Sequence, residues 1–122
     1  MAFSIFTEIL EELVRAVPGA CGAIFIDWEG ESVAEFTVRG ETDGIRLVGA
    51  HWGVIYFLVK RRLDRSAVGD PAQVLLNFER QQVMIQRVTD DYLLVLSLRV
   101  DSNVGRAREL AEATTRRLRQ EM

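Results

Sequence analysis

The sequence holds one cysteine, one histidine and two prolines in 122 residues. A single thiol, Cys21, excludes an internal disulfide. Its place beside an apolar run predicts a buried structural thiol. A metal site needs several convergent His, Cys or carboxylate ligands. His51 stands alone, so no metal is expected. No apolar stretch reaches the ~20 residues that span a bilayer. The opening Met1-Ala2-Phe3-Ser4 lacks the basic flank and apolar run of a signal peptide. These absences predict a cytoplasmic protein without membrane insertion.

Reactive motifs are missing too. Without G-x-x-x-x-G-K-[ST] the chain is not itself a P-loop GTPase, and no G-x-G-x-x-G follows a predicted strand. Neither G-x-S-x-G nor H-E-x-x-H occurs. Asp90-Asp91 and Glu11-Glu12 are adjacent carboxylates, which point apart rather than converge on one substrate. Hence no catalytic residue and no cofactor is expected, and an enzyme is the least favoured class. The net charge of −3 argues against nucleic acid, whose readers carry a basic field.

What is present is ordinary globular composition, 48% hydrophobic and 27% charged, in a length that suits a single domain over 1–122. Phe3, Phe6, Ile9, Leu10, Leu13, Val14 and Val17 recur at three- and four-residue steps, which predicts a helix capped by Ser4 and stopped by Pro18-Gly19. Ala23 to Ile26 reads as a strand covered on both faces. Asp27 to Gly30 is a turn, with Gly30 at positive φ. Val33 to Val38 alternates as an edge strand. Thr42 or Asp43 caps a long helix reaching roughly Arg65. Strands follow at Val74–Phe78, Val83–Val88 and Tyr92–Leu98, the last apolar at nearly every position and therefore central. Ser102 or Asn103 caps a final helix that buries Val104, Ala107, Leu110, Ala111, Thr114 and Leu118. The predicted class is α+β: a five-stranded, mainly antiparallel sheet, with the long helix on one face and two helices on the other.

The long helix is the most informative segment. Ile45, Val48, Trp52, Ile55, Tyr56, Val59 and Leu63 line one side, predicted to lie on the chain's own sheet. Leu47, Ala50, Val54, Phe57 and Leu58 line the other, with His51 at its margin. One sheet covers one side of a helix, so the second side needs another cover. The strand Val74, Leu75, Leu76, Asn77 and Phe78 lies at the end of a meander, yet it has a covered strand's composition. A two-fold axis pairing this strand with its copy, and setting the long helices side by side, satisfies both. The predicted dimer interface is therefore Leu47, Ala50, His51, Val54, Phe57, Leu58, Val74, Leu75, Leu76 and Phe78.

Gly49 and Gly53 inside the helix read as close packing. Lys60, Arg61, Arg62 and Arg65 form the chain's one dense basic cluster. The simpler reading is a cationic helix end answering the macrodipole; the weaker one is a contact for an acidic partner surface. Trp28, in a turn, either meets a partner or folds back onto the sheet.

The pattern resembles the roadblock/dynein light-chain family, including its bacterial MglB-like branch. The resemblance is carried by Leu13-Val14 with Val17-Pro18-Gly19-Ala20, Gly22-Ala23-Ile24, and Asp27 with Gly30-Glu31. Tyr92-Leu93-Leu94-Val95-Leu96 and Val104-Gly105 with Ala107-Arg108 complete it. It implies a profilin-like fold and a dimer built on the second helix and third strand. It further implies regulation or scaffolding of a small Ras-like GTPase. In bacterial relatives the dimer stimulates hydrolysis by holding the GTPase's switch regions, without inserting an arginine finger. A small-molecule sensor of profilin- or PAS-like shape and a purely structural subunit are the alternatives.

Overall fold

A computed structural model describes residues 4–39, 42–63 and 67–122, with the backbone alone for 42–48. The elements run α1 (Ile5–Ala16), β1 (Ala20–Asp27), β2 (Ser32–Thr37), α2 (Thr42–Arg62), β3 (Gln73–Asn77), β4 (Gln82–Thr89), β5 (Tyr92–Leu98) and α3 (Val104–Gln120). Five strands form one sheet in the order β2-β1-β5-β4-β3, and every neighbouring pair is antiparallel. The apolar strand Tyr92–Leu98 is central, as its composition requires, and β2 and β3 are the edges.

Side-chain alternation along the strands divides the core in two. Ala23 and Phe25 of β1 and Leu94, Leu96 and Leu98 of β5 face α1 and α3. They meet Ile9, Leu10, Leu13 and Val14 from one helix and Ala107, Ala111 and Leu118 from the other. Ile24, Ile26, Leu93 and Val95 point the opposite way, join Val83 and Ile85, and are covered by α2 through Tyr56. Both faces of the central strands are dry, so helices on both sides are obligatory.

Local signals set the element ends. The Ser4 hydroxyl accepts from the Thr7 N–H at 3.2 Å and starts α1. The Asn103 carboxamide accepts from the Arg106 N–H at 3.0 Å and starts α3. The turn into β2 is tied by Asp27 Oδ1, which accepts from the N–H groups of Glu29 and Glu31 at 2.9 and 3.0 Å. Gly30 sits there at φ +85°, as the turn demands.

Two expectations are corrected. Cys21 is exposed rather than buried. The β1–β5 ladder passes from Ala20↔Leu98 to Gly22↔Ser97, so Cys21 is the extra residue of a bulge and its side chain is re-aimed outward. The long helix is also turned about its axis. Its sheet side is the line Gly49, Trp52, Gly53, Tyr56 and Phe57, while Ile55 and Val59 stay half-buried on its flanks. Ile45 and Val48 lie outside the described side chains. The glycines explain the rotation. A Cβ on Gly49 would stand 2.7 Å from Ile24 Cγ2, and one on Gly53 2.7 Å from Ile26 Cδ1. The helix seats on the sheet through backbone, not through its branched side chains.

Candidate functional site

The rotation of α2 decides which side chains it offers outward. Val54 is 59% exposed and Leu58 53%, one turn apart on the same stripe. His51, also exposed, continues it N-terminally and meets Trp52 edge-on at 5.0 Å between ring centroids. Ala50 is half-buried, because the Gly30 turn packs beside it. Phe57 departs from the expected outward group. It is half-buried against the α2 side of the sheet and sits edge-on to Tyr56 at 5.2 Å. The Leu47 side chain lies outside the described residues.

The edge strand β3 splits by the same alternation. Val74 and Leu76 pack beneath α2. Leu75 is on the opposite face of the sheet and 40% exposed. Phe78, just past the strand and 45% exposed, leans on Trp52 at 5.4 Å between centroids. That ring contact joins the outer margin of α2 to the end of β3. The backbone is just as informative. Arg87 N–H donates to Ala72 O at 2.9 Å and Phe78 N–H to Gln81 O at 2.8 Å, so even-numbered β3 residues bond to β4. Gln73, Leu75 and Asn77 therefore turn their N–H and C=O outward, with no further strand beyond them among the described residues. Three alternate outward residues of this kind are what a copy of the strand would pair with.

The basic end of α2 is held in part by its own chain. Lys60 Nζ lies 3.8 Å from Asp70 Oδ2 and 6.0 Å from the Phe57 ring centroid. Arg61 and Arg62 are exposed, and Arg65 lies outside the described residues. Beneath them, buried Tyr56 donates its hydroxyl to Pro71 O at 2.7 Å. Burial pushes that phenol's pKa up, keeping it a donor. Nearby, Arg87 hydrogen-bonds Asp90; that bond, then the Arg87 charge, then Lys60 hold the Asp90 carboxyl below its ordinary range. The contacts of Lys60 with Asp70 and of Tyr56 with Pro71 tie α2 to the residues that lead into β3.

Trp28 is 60% exposed and does not fold back onto the sheet. The cluster at the end of α2 is not the chain's one dense basic group: Arg116, Arg117 and Arg119 form a second at the end of α3. Among the described residues no group of three His, Cys, Asp or Glu could hold a metal ion. No helix among them is long and apolar enough to cross a membrane. The space beneath α2 is taken up by Ile24, Ile26, Tyr56, Val83 and Ile85. An open cleft of about 550 Å³ lies elsewhere, along β2 from Gly30 to Glu35.

No protein-family model matches the sequence, and no curated protein does. Solved structures do match. A roadblock/LC7 domain from Streptomyces avermitilis superimposes with a TM-score of 0.86 at 15% identity, over 94% of this chain and 95% of its own. MglC from Myxococcus xanthus has a TM-score of 0.72 at 26% identity, over 96% of this chain and 98% of its own. Myxococcus xanthus MglB has a TM-score of 0.84 at 10% identity, over 97% of this chain and 94% of its own. This chain is a roadblock/LC7-fold domain, similar in structure to the bacterial MglB and MglC proteins.

Proposed function

We propose that the chain is a non-catalytic, homodimeric adaptor that binds and regulates a small Ras-like GTPase. The observation that carries this reading is the exposed apolar stripe Val54–Leu58 on α2, adjoining an unpaired strand edge at β3. Each of these two side chains stands to gain roughly 1 kcal/mol from full cover, since about half of a 1.5–3 kcal/mol burial term is still unclaimed. In-plane pairing through Gln73, Leu75 and Asn77 supplies the directional part of the contact, and the helix stripe supplies the apolar part. The likeness to MglB and MglC supports the same reading.

In this arrangement two copies of α2 form a continuous platform whose basic ends, Arg61 and Arg62, lie at its margins. The platform holds a GTPase's switch segments in one conformation. It contributes positioning and no reacting group of its own.

The test has two stages. Sedimentation equilibrium of the full chain is expected to give a dimer, and Val54→Asp with Leu58→Asp a folded monomer. Pull-down against the host's small GTPases, loaded with GDP or a GTP analogue, is expected to capture one in a nucleotide-dependent way. Turnover of the captured GTPase then separates an activator from a scaffold. A wild-type monomer at high concentration, or no capture in either nucleotide state, overturns the proposal.

A further inference from the structure

The sheet face opposite α2 is not fully roofed. The helices α1 and α3 cover β2, β1, β5 and part of β4, and they leave β3 open on that side, where Leu75 stands 40% exposed beside Gln73 and Asn77. Between this open strip and α3 lies a cleft of about 240 Å³, lined by Ala72, Gln86, Arg87, Glu112, Thr115, Arg116 and Arg119, so that three arginines share it with one carboxylate. Gln73 donates its amide to Gln86 Oε1 at 2.8 Å, which leaves the NH₂ of Gln86 without a described partner.

The charge of this region runs against that of the molecule. The helix α3 carries five arginines and two glutamates, net +3, in a chain of net −3. Its carboxylates are already engaged: Glu109 faces Arg106 at 3.5 Å and Glu112 faces Arg108 at 3.9 Å. Arg117 is taken by Glu12 of α1. Arg119 Nη1 donates to Val88 O at 2.9 Å and has no carboxylate among the described residues. Arg116 is exposed and has no described ion-pair partner at all. Two arginines at the end of a helix answer its dipole, but here they also flank a cleft whose floor offers an amide donor. An apolar side chain stands on the same sheet face.

We infer that this face is a docking site for an acidic segment of a partner protein. The segment lies along the open side of β3 and β4, sets an apolar residue on Leu75, and places a carboxylate in the cleft against Arg116, Arg119 and the Gln86 amide. Fork-shaped guanidinium groups suit a carboxylate there. The inference is independent of the dimer. Pairing of β3 with a copy would occur in the plane of the sheet and leave this face open.

Random 12-residue peptides displayed on phage are selected on the immobilised full chain. The expected enriched set is rich in Asp and Glu with an interspersed Leu, Ile or Met. Synthetic copies should bind Arg116→Glu at least tenfold more weakly and Leu75→Ser several-fold more weakly. The Arg116→Glu chain should instead select Lys-bearing peptides, a charge-reversal rescue that also shows the variant to be folded. Failure of any acidic set to enrich, equal binding to wild type and Arg116→Glu, or an absent rescue overturns the inference. So does binding to phosphatidylserine vesicles without peptide binding, which would make the ligand a lipid surface.

Discussion

Alanine at Gly49 and at Gly53 should have opposite consequences, although both lie inside one helix. Replacing a mid-helix glycine by alanine ordinarily stabilises by about 0.5–1 kcal/mol, through reduced backbone entropy in the unfolded chain. Against that stands the space beneath α2. At Gly49 the new methyl meets Ile24 Cγ2 at 2.7 Å, Ile24 Cδ1 at 2.9 Å and Ile26 Cγ2 at 3.4 Å. Cγ2 branches directly from Cβ on a buried central strand, so it moves only if the helix or the strand moves. Such overpacking costs about 1–3 kcal/mol. Gly49→Ala is therefore expected to lose about 1 kcal/mol net. At Gly53 the only near atom is Ile26 Cδ1, again at 2.7 Å, but this is the free end of a side chain that can change rotamer. Gly53→Ala should come out near neutral or slightly stabilising. Urea unfolding at matched protein concentration reads both, because self-association of the kind proposed would make stability depend on concentration. Removing the obstructing methyls with Ile24→Ala should reverse the sign of Gly49→Ala in that background. If Gly49→Ala alone stabilises by the full propensity gain, α2 does not seat on the sheet through its glycines, and the outward placement of Val54 and Leu58 loses its basis.

Three further outcomes follow from individual contacts. Tyr56→Phe removes the hydroxyl bound to Pro71 O and should cost about 1–1.5 kcal/mol, with faster amide exchange at the start of β3. Asn103→Ala removes the cap of α3 and should cost about 1 kcal/mol in urea unfolding, while Asn103→Ser should retain most of it. Asp90 has a folded-state pKa depressed by Arg87, so its stabilising contribution is present above the unfolded aspartate pKa and fades as pH falls through the lower folded value. In an NMR titration its carboxyl should therefore protonate below the ordinary aspartate range, and Arg87→Met should move the midpoint back up.

The sequence makes most of this architecture legible, and the failures are specific. Apolar period, caps and turn residues mark the elements, although Thr42 and Asp43, expected as caps, lie inside α2, and the run Tyr92–Leu98, apolar except at Ser97, identifies the central strand. Cys21 could not be placed from alternation, since a bulge adds one residue to the count and flips the face. The α2 stripe differs from its helical-wheel expectation for a related reason. A helical wheel weights large side chains, so it aimed Ile55 and Val59 at the sheet. The actual contact line is set by two residues with no side chain, which score as neutral on any hydrophobic scale but allow the closest approach. Phe57 moved inward with that rotation, while Val54 and Leu58 remained outside. The β3 residues expected at a dimer interface divide in a way periodicity alone predicts: Val74 and Leu76 turn under α2, and Leu75 faces the other side.

Seating a helix through glycines has a consequence for what the molecule can bind. Close approach brings the flanks of α2 down toward the sheet, so Trp52 reaches the level of β3 and touches Phe78. The outer stripe of α2 and the unpaired edge of β3 thus become one surface rather than two. A partner that completes the strand edge cannot avoid the helix, and one that covers the helix lies within reach of the edge's outward N–H and C=O groups. Apolar cover without strand pairing would leave those groups to water, and strand pairing without apolar cover would leave Val54 and Leu58 wet. A two-fold copy of the same surface, as proposed above, would meet both needs at once, because the strand would pair antiparallel to itself about the axis that also brings the two helices together.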